Sequence, residues 1–67
     1  MHQNIEIGSK LRKKDAPGYV LEVLELLTPD GELPHARARV SITNYDLGLR
    51  LYSISALEDS RLFVPMP

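Results

Sequence analysis

The clearest pattern in the chain is a strict alternation of apolar and polar residues between Ala36 and Thr43. The apolar positions are Ala36, Ala38, Val40 and Ile42, and the polar positions are Arg37, Arg39, Ser41 and Thr43. A period of two residues is typical of a β-strand that buries one face and exposes the other. This segment therefore predicts a half-buried strand, with Val40 and Ile42 in the core and the two arginines facing outward.

The segment Tyr19–Leu27 is largely apolar but does not alternate, so its pattern is ambiguous. Glu22 and Glu25 are three residues apart, and the leucines around them would suit a helix. However, a stretch of about nine residues between two turn-forming segments makes a marginal helix, and Gly18 is a weak helix start. We interpret the segment as a strand that is buried on much of both faces, with a helix as the alternative.

Residues that favour turns divide the chain into short elements. The turn-forming segments are Asp15–Gly18, Thr28–Pro34, Asn44–Gly48 and the closing Pro65–Pro67. The other predicted elements are a first strand in Ser9–Lys14, a single helical turn in Ser53–Asp59 and a last strand in Arg61–Pro65. Together they predict an all-β fold, a small five-stranded SH3-like barrel, closed or nearly closed, with the helical turn before the last strand. Residues 1–67 form a single domain, and residues 1–6 are expected to be frayed.

An arginine and a tyrosine share one face of the segment Leu49–Ser53. With a period of two residues, Arg50 and Tyr52 lie on the same side of this strand. In a five-stranded barrel the third and fourth strands are neighbours, so these two side chains are predicted to lie beside Arg37 and Arg39. Three guanidinium groups and a phenol would then form a platform for an anionic, partly flat partner.

Each part of this platform also has a purely structural interpretation. Arg50 and Tyr52 would stack on each other, and the two arginines of the preceding strand would pair with Glu22 or Glu25 across the sheet. Leu51, on the opposite side of its strand from Tyr52, is expected in the core. The sequence alone leaves both interpretations open.

Composition limits the chemistry that the chain can perform. Cysteine is absent, which excludes disulfides, thiolate nucleophiles and cysteine metal sites. The two histidines, His2 and His35, do not make a metal site, and no serine has a histidine at a convincing position for catalysis. We therefore expect no catalytic residue, no metal and no cofactor.

Charge and hydropathy bear on the choice of partners. The net charge of −1 argues against an overall attraction to nucleic acid, although four cations cluster near the start of the chain: Lys10, Arg12, Lys13 and Lys14. They form either a local basic patch or the solvated edge of a sheet. No apolar run approaches the roughly 20 residues that cross a bilayer, and the first residues lack the layout of a signal peptide. We expect a soluble, cytoplasmic protein with no membrane partner.

Two short motifs give a first resemblance to a known group. Gly8, Leu11 and Lys14 make a Gly-x-x-hydrophobic-x-x-Lys motif, and Tyr52 is followed by Leu57-Glu58. In these motifs the chain resembles small bacterial SH3-like domains, which open and close in this way. The resemblance covers most of the chain and implies the fold more than a function.

Three segments give a narrower resemblance: Gly8–Lys14, Leu27–Gly31 and Leu51–Glu58. In the same order they look like segments of the plasmid-borne type II dihydrofolate reductases, whose SH3-like protomers form a tetramer around one central pore. The resemblance implies that Leu51 and Tyr52 match the end of a pore-lining Gln-Ile-Tyr run, and that Lys13 matches a lysine that assists cofactor and substrate binding. Arg50 stands where that family has glutamine, and arginine offers only donors and a fixed charge. A reductase is therefore the alternative hypothesis.

The main hypothesis is a small non-catalytic binding module. Its expected binding residues are Arg37, Arg39, Arg50, Tyr52 and Lys13. The partner would be anionic, and the sequence leaves open whether it is an acidic protein segment or a nucleic acid. Because so small a core is marginal, we also expect a homo-oligomer, most simply a dimer.

Overall fold

The computed structural model describes residues 3–28 and 30–66, and these form one antiparallel sheet of five strands with a short helix. The elements are β1 (Lys10–Lys13), β2 (Ala16–Leu27), β3 (His35–Ile42), β4 (Tyr45–Ser53), α1 (Ile54–Glu58) and β5 (Phe63–Pro65). The strands lie in the order β4-β3-β2-β1-β5. The all-β fold and the helical turn before the last strand are confirmed. Closure into a barrel stays a prediction, because β4 and β5 are the two edges of the described sheet.

Strand β2 confirms that Tyr19–Leu27 is a strand and explains why its pattern looked helical. The expected burial on both faces is wrong, because only Leu21 and Val23 of this strand are buried and both lie on one face. Glu22 lies opposite Arg39 and Glu25 lies opposite Arg37, with a β-bulge between Val23 and Glu25. A bulge adds one residue to a strand, so residues three apart point to the same side. The two glutamates therefore share one face of a strand, at a spacing that a regular strand would not allow.

The turns on either side of the sheet are tighter than expected. Strand β2 already begins at Ala16, so the predicted turn Asp15–Gly18 is shortened to its first part. Between β3 and β4 the turn consists of Thr43 and Asn44, which have φ angles of 48° and 68°, as two-residue hairpin turns require. The prediction of a turn through Gly48 is wrong. Gly48 lies inside β4, at a register shift opposite Val40, with a φ of 83°.

The core lies on one face of the sheet, which we call the inner face. The buried apolar residues are Ile5, Leu11, Leu21, Val23, Ala36, Ala38, Val40, Leu57 and Phe63. Val40 is confirmed as core, but Ile42 is 42% exposed and Leu51 is 59% exposed, so both of these predictions are wrong. Ile42 is the last residue of its strand, and Leu51 lies opposite Arg37 on the other side of the sheet, the outer face.

The N-terminal segment packs against the end of the chain. The Gln3 side-chain amide donates hydrogen bonds to the carbonyl oxygens of Leu57 (2.7 Å) and Phe63 (3.0 Å), and Ile5 is buried. The expected fraying of residues 1–6 therefore does not extend to Gln3 and Ile5. Residues 1 and 2, including His2, lie outside the described part of the chain, as do Pro29 and Pro67 of the predicted turns. None of the helices among the described residues is long and apolar enough to cross a bilayer.

Candidate functional site

The register of β3 and β4 separates the residues that the sequence placed on one platform. Arg37 lies opposite Leu51, whereas Tyr52 lies opposite Ala36 and Arg50 lies opposite Ala38. Residues directly opposite each other in an antiparallel pair project from the same side of the sheet. Arg37 is therefore on the outer face, and Arg50 and Tyr52 are on the inner face. The predicted platform of three arginines and a tyrosine is wrong, because a shift of one residue in register exchanges the two faces.

On the outer face, the two arginines of β3 are paired with acids. Arg37 Nη1 lies 2.6 Å from Glu25 Oε1, as the structural interpretation expected, and Arg39 Nη1 lies 3.0 Å from Asp46 Oδ2. About half of each of these side chains is exposed, so each pair stabilises the fold by about 1 kcal/mol at most. Their charges are nevertheless neutralised locally, which leaves neither arginine free for an anionic partner.

The cations of the first strand are also divided between the two faces. Lys10 and Arg12 lie opposite Glu22 and Val20 on the outer face, whereas Lys13 lies opposite the buried Phe63. The expectation that this strand is a solvated edge is wrong, because β1 lies between β2 and β5. Only Lys13 of this group is directed toward the side of the sheet that carries Arg50 and Tyr52.

Four residues meet on the inner face, and we call them the inner cluster: Lys13, Tyr19, Arg50 and Tyr52. The hydroxyl groups of Tyr19 and Tyr52 are hydrogen-bonded to each other. The Lys13 ammonium lies 5.6 Å from the centroid of the Tyr19 ring, within the range of a cation–π contact. The cluster thus connects β1, β2 and β4, strands that are not all neighbours in the sheet.

The Tyr52 ring anchors the cluster to the core. It packs against Phe63 with ring centroids 5.9 Å apart and an interplanar angle of 81°, an edge-to-face arrangement. Tyr52 lies opposite the small residue Ala36, which leaves room on the inner face for the larger ring. The expected stacking of Arg50 on Tyr52 is not the contact that the structure has, since Arg50 Nη1 donates instead to the Leu49 carbonyl oxygen at 2.9 Å.

The environment of Tyr52 keeps its hydroxyl protonated. Burial raises the pKa of Tyr52 above its ordinary value of 10.0, and the hydrogen bond and the electrostatic interaction between Tyr52 and Tyr19 raise the pKa further. The Arg50 guanidinium opposes this effect by lowering the pKa, but it does not reverse the shift. At neutral pH the Tyr52 hydroxyl is therefore a hydrogen-bonding group rather than a base, and the charged side chains of the cluster are Lys13 and Arg50.

The two cations of the inner cluster differ from the paired arginines of the protein. Arg37, Arg39 and Arg61 each form an ion pair, the last with Asp59 at 2.9 Å. No carboxylate of the described residues lies within salt-bridge distance of Lys13 or Arg50. The inner cluster therefore combines two cations and two phenols with no acid of its own among those residues.

Sequence reasoning found three members of the inner cluster but missed Tyr19. Lys13, Arg50 and Tyr52 were expected binding residues, although they were not expected to lie together with a second tyrosine. Tyr19 is 33 residues from Tyr52 in the chain, and the contact depends on how the sheet curves. No local pattern in the sequence contains that information.

The structure offers no alternative site of metal chemistry among the residues it describes. No group of three or more histidine, aspartate or glutamate side chains in residues 3–28 and 30–66 is arranged to hold a metal ion. His35 Nδ1 lies 2.7 Å from the Leu33 carbonyl oxygen, at the start of β3. This contact is a local one within the loop that precedes the strand.

Comparisons with protein-family models, with curated proteins and with solved structures find no match for this chain. The resemblances to SH3-like domains and to type II dihydrofolate reductases therefore stay predictions.

Proposed function

We propose that this protein is a non-catalytic binding module, which holds a carboxylate-rich segment of another protein at the inner cluster. The supporting observation is that Lys13 and Arg50 flank the hydrogen-bonded Tyr19–Tyr52 pair without an ion-pair partner among the described residues. A carboxylate bound there would provide the anionic partner that both cations lack among the described residues. The other expected anion-binding residues, Arg37 and Arg39, are left out of the proposal because acids already neutralise them.

The chemistry of the four side chains suits a carboxylate. A guanidinium binds a carboxylate through two parallel N–H donors, and an ammonium adds a point charge with three donors. Each phenol hydroxyl can accept a hydrogen bond from the other phenol or donate one to an oxygen of the bound carboxylate. Arg50 would exchange its present contact with the uncharged Leu49 carbonyl oxygen for a bidentate ion pair with a carboxylate.

The arrangement of the rings favours an acidic peptide over a nucleic acid. Proteins that bind single strands stack bases on open aromatic faces. Here the Tyr52 ring packs against Phe63, and the Lys13 ammonium lies over the ring of Tyr19. The net charge of −1 also gives little long-range attraction to a polyanion. An acidic protein segment is therefore the partner that we propose.

A titration of the labelled protein with a synthetic peptide of alternating glutamate and glycine tests this proposal. We expect saturable chemical-shift changes at Lys13, Tyr19, Arg50 and Tyr52 in low salt, and weaker binding as salt is added. A peptide with glutamine in place of glutamate is the matched control and should not bind. Shifts confined to the outer face, or preference for a single-stranded oligonucleotide over the acidic peptide, would contradict the proposal.

The composition of the inner cluster also supports a second candidate function, that of a reductase. Lys13, Arg50 and Tyr52, which the reductase resemblance implies as cofactor-binding and pore-lining positions, belong to one cluster. A pore built from several copies could collect these side chains around a nicotinamide cofactor and a pterin. The substitution of arginine for the glutamine of that family makes this the weaker candidate.

A further inference from the structure

Strand β4 forms one edge of the sheet, and part of its backbone has no ladder partner. The Ile54 N–H donates to the Pro34 carbonyl oxygen at 3.0 Å, so these two residues face each other as a hydrogen-bonded pair. This pair determines which residues of β4 direct their backbone groups toward β3. Since hydrogen-bonded and non-hydrogen-bonded pairs alternate along two antiparallel strands, Tyr52 and Arg50 direct their backbone groups toward β3. Leu49 and Leu51 direct theirs outward, and so does the Ser53 N–H, whereas the Ser53 carbonyl oxygen belongs to the first turn of α1, of which Ser53 is the N-cap. The contact between Arg50 Nη1 and the Leu49 carbonyl oxygen agrees with this assignment, because that oxygen is reached from the edge.

The same stretch also exposes apolar side chains. Leu49 is 48% exposed and Leu51 is 59% exposed, and both lie on the outer face of the edge strand. Natural proteins usually protect such edges with charges, prolines or a covering element. In this chain the Arg50 side chain covers one outward carbonyl, and the two leucines beside it remain exposed.

We propose that β4 pairs with β4 of a second copy of this chain, antiparallel, about a two-fold axis through Leu51. Leu51 then lies opposite Leu51 of the second copy, Arg50 lies opposite Tyr52, and Leu49 lies opposite Ser53. The outward backbone groups supply about four hydrogen bonds, two between the Leu51 residues and two from the Ser53 N–H groups to the Leu49 carbonyl oxygens. The two sheets become one continuous sheet, with the leucines together on its outer face.

The sequence of the edge is self-complementary in this register and in no neighbouring one. An axis through Arg50 would place the two arginines directly opposite each other, which is unfavourable. An axis through Leu49 would place Arg50 opposite Gly48 and run the ladder into the register shift of β4. The axis through Leu51 pairs each cation with an aromatic ring and uses the regular part of the strand. This complementarity of the strand with itself points to a second copy rather than to an unrelated strand.

Pairing also gives the Arg50 side chain a new role. Its present acceptor, the Leu49 carbonyl oxygen, receives the Ser53 N–H of the second copy instead. The guanidinium then lies against the Tyr52 ring of the second copy and keeps its N–H donors available. The inference rests on the edge strand and does not depend on the proposed peptide binding, although the axis brings two inner clusters close together.

Single cysteines test the register, because the natural chain has none. Residues directly opposite each other across a hydrogen-bonded pair have Cα atoms about 5.5 Å apart, which a disulfide spans. Leu51→Cys should therefore cross-link in a glutathione redox buffer at least about tenfold faster than Leu49→Cys, whose thiols lie several residues apart in the dimer. Leu33→Cys, which replaces a 71% exposed side chain in the loop before β3, measures random collision. Equal rates for Leu51→Cys and Leu49→Cys would overturn the register.

Sedimentation equilibrium tests the association itself. The natural chain should shift from monomer to dimer between micromolar and low millimolar concentration, whereas Leu51→Lys should remain a monomer. Leu33→Lys is the matched control and should associate like the natural chain, and circular dichroism checks that all three share one fold. A natural chain that stays monomeric overturns the proposal and leaves the edge to a strand of another protein. A Leu51→Lys chain that still dimerises overturns it as well, because the interface is then elsewhere.

Discussion

At the level of single residues, Tyr52 defines what the inner cluster can do. Its ring packs against Phe63, its hydroxyl is hydrogen-bonded to Tyr19, and burial is the main reason that its pKa is raised. A group in this state orients a ligand but does not take up a proton at neutral pH. The chemistry of the site is therefore binding by two cations beside the protonated hydroxyl of Tyr52.

The raised pKa of Tyr52 makes a prediction about alkaline stability. The unfolded chain loses this proton near pH 10, before the folded chain does, so the stabilisation is complete below about pH 10 and is lost as the pH rises further. Urea unfolding between neutral pH and pH 11 should show that the Tyr52→Phe variant loses less stability at alkaline pH than the natural chain does. Tyr45→Phe is the control, because Tyr45 is 72% exposed and its removal should leave the slope unchanged. Equal slopes for Tyr52→Phe and the natural chain would contradict this account.

At the level of elements, register shifts decide which residues meet. Alternation alone predicted β3 correctly, since its inner residues Ala36, Ala38 and Val40 are buried and its arginines are exposed. The bulge in β2 and the shift at Gly48 in β4 cannot be read from alternation, because each exchanges the faces of the residues that follow it. The sequence could therefore predict the strands and the helical turn, but not which face of β4 carries the site.

Substitutions at Gly48 and Thr43 test the backbone geometry of β4 and of the turn that precedes it. Gly48→Ala should lower the free energy of unfolding by about 1–2 kcal/mol, because a residue with a Cβ is strained at a φ of 83°. Thr43→Asn should raise it, since asparagine tolerates the positive φ of a two-residue hairpin better than a β-branched residue does. Urea unfolding at neutral pH measures both changes. A Gly48→Ala variant with an unchanged free energy of unfolding would show that the backbone at Gly48 is not held in this conformation.

At the level of the whole molecule, the sheet has two faces with different roles. The outer face carries paired charges around Arg37 and Arg39, and the inner face carries the core and the cluster around Arg50 and Tyr52. The N-terminal segment, held by Gln3 and Ile5, packs beside the last strand and the helix. One small sheet thus has the neutralised arginines of β3 on one side and a cationic, aromatic cluster on the other.

The reductase alternative makes a separate prediction for the assembled protein. Reduced nicotinamide cofactor and dihydrofolate would bind and turn over, and Arg50→Gln would restore the glutamine of the resembling family and raise the rate. We expect neither binding nor turnover, because four arginines facing one pore repel each other. Calorimetry with each compound and an absorbance assay of the oxidised cofactor measure this. Turnover that increases in Arg50→Gln would replace the binding module with the reductase.

The central claim is that the inner face, not the outer face, holds the anionic partner. The affinity of the acidic peptide for Arg50→Gln and for Arg37→Gln tests it most directly, because both variants remove one exposed guanidinium from adjacent strands. Arg50→Gln should weaken binding about tenfold or more, the effect of losing one charge-assisted hydrogen bond, whereas Arg37→Gln should bind like the natural chain. If Arg37→Gln weakens binding as much as Arg50→Gln does, or if Arg50→Gln binds unchanged, the site is not the inner cluster.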